Sequence, residues 1–335
     1  MNRDEGAEAR RHDVGMRIRR IVPLVLLAFS CAARAEFPAT RPFQPVTYQH
    51  ERRRNLDMSI YVVIVDLGDP SVKVRVAPGG ADPDGDGPWQ TTLMTVKEIA
   101  EREKLDIGIN ASFFAVTHPP NEPIPEEQAE KSGAPVPTTR PLFQQRGYRE
   151  GLWSSTMGWS MTDGKLWSPG AAEGWPIVWV EGSRRVHIGM SRKMLPDGAT
   201  QIVAGNCYIV RDGKSVGPFT GVMAARHPRT VVGVDREGTK LVLLTVDGRR
   251  PGVSLGMPGD ELAAEMLRLG CWDAINLDGG GSTTLVMRDP LSNELKVVNQ
   301  PSDGVERPVA DVLGITIMAP RQTTRPVPAA DPSNN

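Results

Sequence analysis

The sequence predicts an α+β fold, a mixed β-sheet of many short strands with a few packed helices in a single large domain. Three observations carry this. Short β-branched runs recur along the chain, separated by Asp-Gly and other Gly-rich turns. Only two segments place apolar residues at helical spacing, too few for regular βαβ alternation. No internal repeat and no break in composition follows residue 55. With 39% apolar residues, the 335-residue chain can bury a sizeable core. Lys plus Arg (39) nearly balance Asp plus Glu (40), leaving a formal charge of −1 and arguing against a nucleic-acid partner held by a basic field. Five His and three Cys exclude a multi-zinc or disulfide-dense scaffold.

Residues 1–35 read as a signal peptide that is removed. Residues 16–20 are basic, residues 21–29 form an apolar run of nine, and Ala33-Arg34-Ala35 supplies a cleavage site before Glu36. The run is short of the ~20 apolar residues a bilayer span needs. No integral membrane span is therefore expected after cleavage, and the mature chain belongs in the periplasm or outside the cell. Cys31 marks the alternative, a lipoprotein anchor. Cys207 and Cys271 read as two separate buried thiols, with a disulfide as the other possibility.

Residues 36–54, rich in Pro and Arg, are expected to be a linker to a domain at 55–318. Residues 60–66 and 72–76 are strands about the turn Gly68-Asp69-Pro70. A helix follows, with Thr92 as N-cap and Leu93, Val96, Ile99 and Ala100 on one face. Residues 105–109 form an apolar strand ending at Asn110. The stretch 117–141, with seven prolines, is a long loop. Residues 159–167, 177–188 and 202–210 are strand regions with Asp-Gly and Glu-Gly-Ser turns. Residues 231–234 and 241–246 form a hairpin across Asp235-Arg236-Glu237-Gly238. Residues 260–269 form the second helix, stopped by Gly270. Strands at 274–277, 283–287 and 312–317 complete the domain, and 319–335 is a disordered tail.

Chemistry concentrates in Asn276-Leu277-Asp278-Gly279-Gly280-Gly281-Ser282-Thr283. A strand delivers Asn276 and Asp278 to one face by its two-residue period. Three glycines leave backbone N–H groups open, and two hydroxyls add donors, a nest suited to an anion such as phosphate. Other polar groups fall at strand ends: Asn110, Arg229-Thr230 with His227 before them, and Asp247-Gly248-Arg249.

The succession Asn110-Ala111-Ser112-Phe113-Phe114, Arg229-Thr230, Asp247-Gly248-Arg249, Glu261-Leu262-Ala263, residues 276–283 and Asn299-Gln300-Pro301 with Arg307 resembles the phosphodiester glycosidase family, over residues 58–318. The resemblance implies cleavage of the bond between a sugar's anomeric carbon and a phosphodiester, in a polysaccharide, cell-wall polymer or glycolipid. It places Asn110, Arg229, Thr230, Arg249, Gly279, Gly280, Gly281, Ser282 and Thr283 around the substrate, with Asp278, Asp247 and Asn276 catalytic. Arg229 and Arg249 suit phosphate oxygens. Asp278, with Asp247 second, suits the oxocarbenium ion as nucleophile or base. Two departures stand out: Ala111-Ser112 replaces the family's Gly-Gly, and Gly205-Asn206-Cys207 replaces Gly-Gly-Pro. Glu261, in the first turn of its helix, reads as a dipole and capping residue.

No cofactor is expected to be required. Asp82, Asp84 and Asp86 match the first half of a calcium loop, but Leu93 stands where the bidentate Glu belongs. Five of the seven Trp, between Trp153 and Trp179, suit either sugar stacking or a core. His118 and His187 have no partner at metal-ligand spacing. The competing reading of the same residues is a non-catalytic phosphoglycan-binding protein. A metal-dependent phosphodiesterase would need a His/Asp cluster the sequence lacks.

Overall fold

A computed structural model describes residues 40–43, 45–120, 147–170, 174–191 and 194–318. The expected signal peptide at 1–35 with Cys31, most of the 117–141 loop and the tail at 319–335 lie outside them. The chain divides into Met1–Glu36, outside the described residues, and one large unit, Phe37–Asn335.

Every strand pairing among the described residues is antiparallel, in four sheets, so the expected single mixed sheet is corrected. Parallel pairs need long crossovers, usually helices, and this chain has two α-helices among the described residues. The largest sheet has eight strands: Thr40–Phe43, Val46–Arg53, Met58–Asp66, Lys240–Val246, Arg229–Val234, Asp273–Asn276, Cys207–Arg211 and Lys214–Ser215. A five-stranded sheet runs Leu295–Val297, Leu285–Arg288, Ile107–Asn110, Asp311–Ile317, Val72–Pro78. A second five-stranded sheet carries the Trp-rich hairpins, and Thr91–Thr92, Trp153–Thr156 and Phe114–Thr117 form a small fourth sheet.

The first two sheets face each other. Val63, Val65, Val232, Leu243 and Ile275 from one meet Val74, Ile109, Leu285, Leu313 and Ile315 from the other in a single buried cluster. Alternate residues of the eight-stranded sheet, Val231, Val242 and Leu244, turn outward onto Leu262 and Met266 of the helix Gly259–Arg268. The helix Val96–Arg102 covers the outer face of the five-stranded sheet with Val96, Ile99 and Ala100. The result is helix, sheet, sheet, helix. Each fully buried Leu or Met contributes roughly 2–3 kcal/mol to this stack.

Some boundaries differ from the sequence reading. Thr95, rather than Thr92, caps the first helix, because its hydroxyl and Glu98 three residues on complete a reciprocal capping box. Residues 46–53 of the expected linker are a strand pairing along its whole length with Met58–Asp66, because Val46 and Tyr48 supply buried alternation. The 202–210 region is two strands, Ala199–Ala204 and Cys207–Arg211, in different sheets.

Candidate active site

The strand Asp273–Asn276 belongs to the eight-stranded sheet and Leu285–Arg288 to the five-stranded one, so residues 277–284 cross between them. The crossing is stitched to both. Leu277 donates its N–H to Thr230 and Gly280 donates to Pro228 on one side, at 2.9 and 3.0 Å. Asp278 donates to the Ala111 carbonyl on the other, at 2.9 Å.

Asn110 is the keystone of this seam. Fully buried, it donates from Nδ2 to the Asp278 carbonyl at 2.6 Å. Its Oδ1 accepts from the Thr230 hydroxyl and the Thr284 amide at 2.8 and 3.1 Å. Thr230, Ser282 and Thr283 are buried with it. These residues are brought together as expected, but as the frame of the motif rather than its open surface.

Two further expectations are corrected. The glycine amides do not form an open anion nest: Gly279 donates to the Asp278 carboxylate at 2.9 Å and Gly280 to Pro228. Of the three, only the Gly281 amide carries no hydrogen bond among the described residues. The glycines serve close approach instead. A Cβ on Gly279 would stand 2.8 Å from the Pro228 carbonyl, and one on Gly280 3.1 Å from the Arg249 guanidinium. A Cβ on Gly281 would collide with Arg307 and Asp303. Gly280, at φ +64°, also needs the left-handed region.

Arg229 is not an open phosphate hand. It is 4% exposed, and its guanidinium donates to the carbonyls of Met257, Val222 and Ala225 at 3.1, 2.6 and 2.9 Å. It braces residues 222–225. Burial, with Arg249 nearby, lowers its pKa to about 10. Arg249 itself is exposed and lies over Gly280, on a backbone at φ +59°. Half-buried His227 feels both arginines: burial first, then their charge, lowers its pKa.

The carboxylates separate by exposure. Asp278 is half-buried at the motif, and burial raises its pKa to about 6 against Ser282, Arg307 and the Gly279 amide. Asp247 is 1% exposed and bonded at both oxygens. Tyr61 donates to Oδ2 at 3.0 Å, while Asn299 Nδ2 and the Gln300 amide donate to Oδ1 at 3.0 and 2.9 Å. Burial raises its pKa to about 6 as well. It therefore acts on the motif through Asn299, which also donates to the Thr283 carbonyl at 3.0 Å and accepts from Leu285 at 2.8 Å.

Asn276 donates to Asn206 Oδ1 at 2.9 Å, and its own buried Oδ1 has no hydrogen-bond partner among the described residues. Asn206 thus gives the Gly205-Asn206-Cys207 departure a role. In the other, Ser112 turns inward: its amide and hydroxyl donate to Asp311 at 2.7 and 2.8 Å, joined by Ser160 at 2.9 Å. Neither Ala111 nor Ser112 projects from the surface. Cys207 and Cys271 are both free thiols, and burial pushes them up to about 11 and about 12.

Sequence reasoning missed Tyr61, Asp311 and Ser160. Tyr61 sits in an ordinary β-branched run, and the Asp311 partners are remote in sequence. Arg307 is held by Asp303 at 2.7 Å and lies 5.0 Å from the centre of the Tyr148 ring. Glu261 pairs with Arg226 in the first helical turn. Asp82 and Asp84 accept backbone N–H groups within their own turn. No three His, Cys, Asp or Glu side chains among the described residues converge as a metal centre. Trp159, Trp175 and Trp179 pack on Met161 and Ile202, and His187 stacks on Trp179.

Comparison with known proteins agrees with the motif. The chain is 35% identical over 143 residues to the uncharacterized SPbeta prophage-derived protein YomE of Bacillus subtilis, covering 41% of this chain and 20% of that one. It is 34% identical over 119 residues to N-acetylglucosamine-1-phosphodiester alpha-N-acetylglucosaminidase of Bos taurus, covering 35% and 19%. The alignments thus span about a fifth of the length of these relatives. The catalytic domain of the zebrafish N-acetylglucosamine-1-phosphodiester alpha-N-acetylglucosaminidase, auto-inhibited by its pro-peptide, shares the fold at a TM-score of 0.54. Identity is 20%, over 82% of each chain. The sequence model of the phosphodiester glycosidases matches residues 104–316, which take in the five-stranded sheet's central strands, the seam and the glycine-rich crossing, and the chain belongs to that family.

Proposed function

We propose that this protein is an exported hydrolase that cleaves the glycosidic C–O bond of a sugar 1-phosphodiester in a polysaccharide, cell-wall polymer or glycolipid. The observation that carries the reading is that one glycine-rich segment holds half-buried Asp278, bonded to the Gly279 amide, and lies against the exposed Arg249 guanidinium at Gly280. A departing phosphate monoester needs charge stabilisation more than a strong acid. Arg249 supplies a planar fork for its oxygens, and buried Arg229 adds to the positive field behind it, which is felt at His227 as a lowered pKa. Asp278, ionised above about pH 6, meets the oxocarbenium ion or activates water. Asn110, Thr230, Asn276 and Asp247 hold these groups in place. No cofactor is required in this scheme.

Hydrolysis of a panel of sugar 1-phosphodiesters in ¹⁸O-water tests it. Label should appear in the sugar, and the rate should rise with pH through about 6. Asp278→Asn should lower kcat by about 10³-fold, as expected when a charge aimed at the transition state is lost. Label in phosphate would overturn the proposed bond. Tight binding of the panel without turnover would leave the non-catalytic phosphoglycan-binding reading.

A further inference from the structure

Buried Asp247 is the inner end of a continuous hydrogen-bonded chain that leads away from the motif. Tyr61 donates to its Oδ2 at 3.0 Å. Ser59 Oγ donates to the Tyr61 oxygen at 3.2 Å, and His50 Nε2 lies 2.8 Å from Ser59 Oγ. Ser59 has one proton and gives it to Tyr61, so the His50 contact requires Nε2–H as the donor. Ser59 and Tyr61 are buried, whereas His50 is half-buried, with its ring stacked on Tyr61 at 4.2 Å. All donors thus point inward, from a surface imidazole to a buried carboxylate.

We propose that His50, Ser59 and Tyr61 form a proton relay to Asp247, and that Asp247 is a positioning residue whose protonation state sets the hold of Asn299 on the exit of the glycine-rich crossing. The transfer balances. His50 takes a proton from solvent at Nδ1 and passes its Nε2 proton to Ser59. Ser59 passes its own to Tyr61, and Tyr61 passes its own to Asp247 Oδ2. The O–H bonds then point outward along the same chain, and one proton has entered. No route through Oδ1 competes, because the Asn299 and Gln300 donors already fill it.

Arg250 acts on Asp247, and Tyr48 on Tyr61. Burial, ahead of the Asp247 charge, holds the Tyr61 phenol well above its ordinary value, so Tyr61 is a carrier and not a store. Protonated Asp247 is a weaker acceptor for Asn299 and Gln300. Asn299 in turn holds both Thr283 and Leu285, so the proton is felt at the motif.

The first test needs no substrate and is therefore independent of the proposed reaction. In protein labelled with ¹³C at the aspartate carboxyls, Asp247 is assigned by its loss in Asp247→Asn and titrated through about pH 6. Ser59→Ala keeps all three donors on Asp247 but opens the relay, and His50→Gln removes its outer end. Proton exchange at Asp247 should slow by about 10²-fold in both, as when a positioned proton carrier is lost. Exchange as fast as in the wild type would overturn the relay. Where the protein hydrolyses sugar 1-phosphodiesters, Tyr61→Phe should shift the pH profile of kcat and leave KM within about twofold. A uniform loss at every pH would mean that Tyr61 only packs.

Discussion

Gly281→Ala isolates the close approach on which the glycine-rich crossing depends. Gly281 has an ordinary backbone conformation, so left-handed strain does not enter. Its added Cβ would lie under 3.0 Å from Arg307 Nη2 and Asp303 Oδ2, the two partners of one ion pair. That pair has little room to yield. Arg307 Nε and Nη2 donate to Asp303 at 3.0 and 2.7 Å, the side chains are 11% and 5% exposed, and Tyr148 covers the guanidinium. Overpacking costs roughly 1–3 kcal/mol, and parting a buried charge pair adds to it. A total of about 2–4 kcal/mol is expected, which for a domain of this size lowers Tm by roughly 4–8 °C. Calorimetry of Gly281→Ala, Arg307→Ala and the double variant measures it. Without the guanidinium the methyl loses its nearest neighbour, so the double variant should be more stable than the sum of the singles predicts by about 1–2 kcal/mol. A Gly281→Ala variant melting within about 1 °C of the wild type would refute the argument.

Arg229 and Arg249 should part company under conservative change: Arg229→Lys, losing its fork of carbonyl contacts, should cost about 2 kcal/mol of stability. Arg249→Lys should leave Tm in place and raise KM for the phosphodiester, as steady-state kinetics would show. Because the folded pKa of Asp278 is raised to about 6, the folded state binds its proton more tightly than the unfolded chain. Its contribution to stability is therefore full below about pH 4 and lost as pH climbs to about 6. Melting curves should show Asp278→Asn gaining on the wild type by up to about 3 kcal/mol between pH 4 and 7. The His227 imidazole, lowered by burial and two arginines, should rise when inorganic phosphate binds beside Arg249, as ¹H NMR titration would detect. A constant His227 titration would place the anion elsewhere.

The strands were legible where apolar runs meet turn chemistry, as at the hairpin Arg229–Val234 and Lys240–Val246. The family motif was legible because its polar residues sit at strand ends in order. Sheet membership was not. Met58–Asp66 and Val72–Pro78 follow each other across a short turn yet belong to facing sheets, which local periodicity does not encode. Partners such as Ser112 and Asp311, 199 residues apart, are equally invisible locally. The glycines misled for a related reason. Sequence shows a missing Cβ but not which neighbour fills the space, and here it is Arg249, Arg307 and a carbonyl rather than a ligand.

The crossing at 277–284 is a covalent thread between two facing sheets, with amide hydrogen bonds into both. A segment so placed does not open by itself, since freeing Leu277, Asp278 or Gly280 means shearing one sheet from the other. Its amides should exchange with deuterium only as slowly as the core strands do. A substrate thus meets a surface already ordered, and its binding carries little of the entropic charge that closing a loop imposes. On the proposed reading, selection among substrates then falls to shape around the crossing, where Asn206 and His227 are half-buried and Arg249 is exposed.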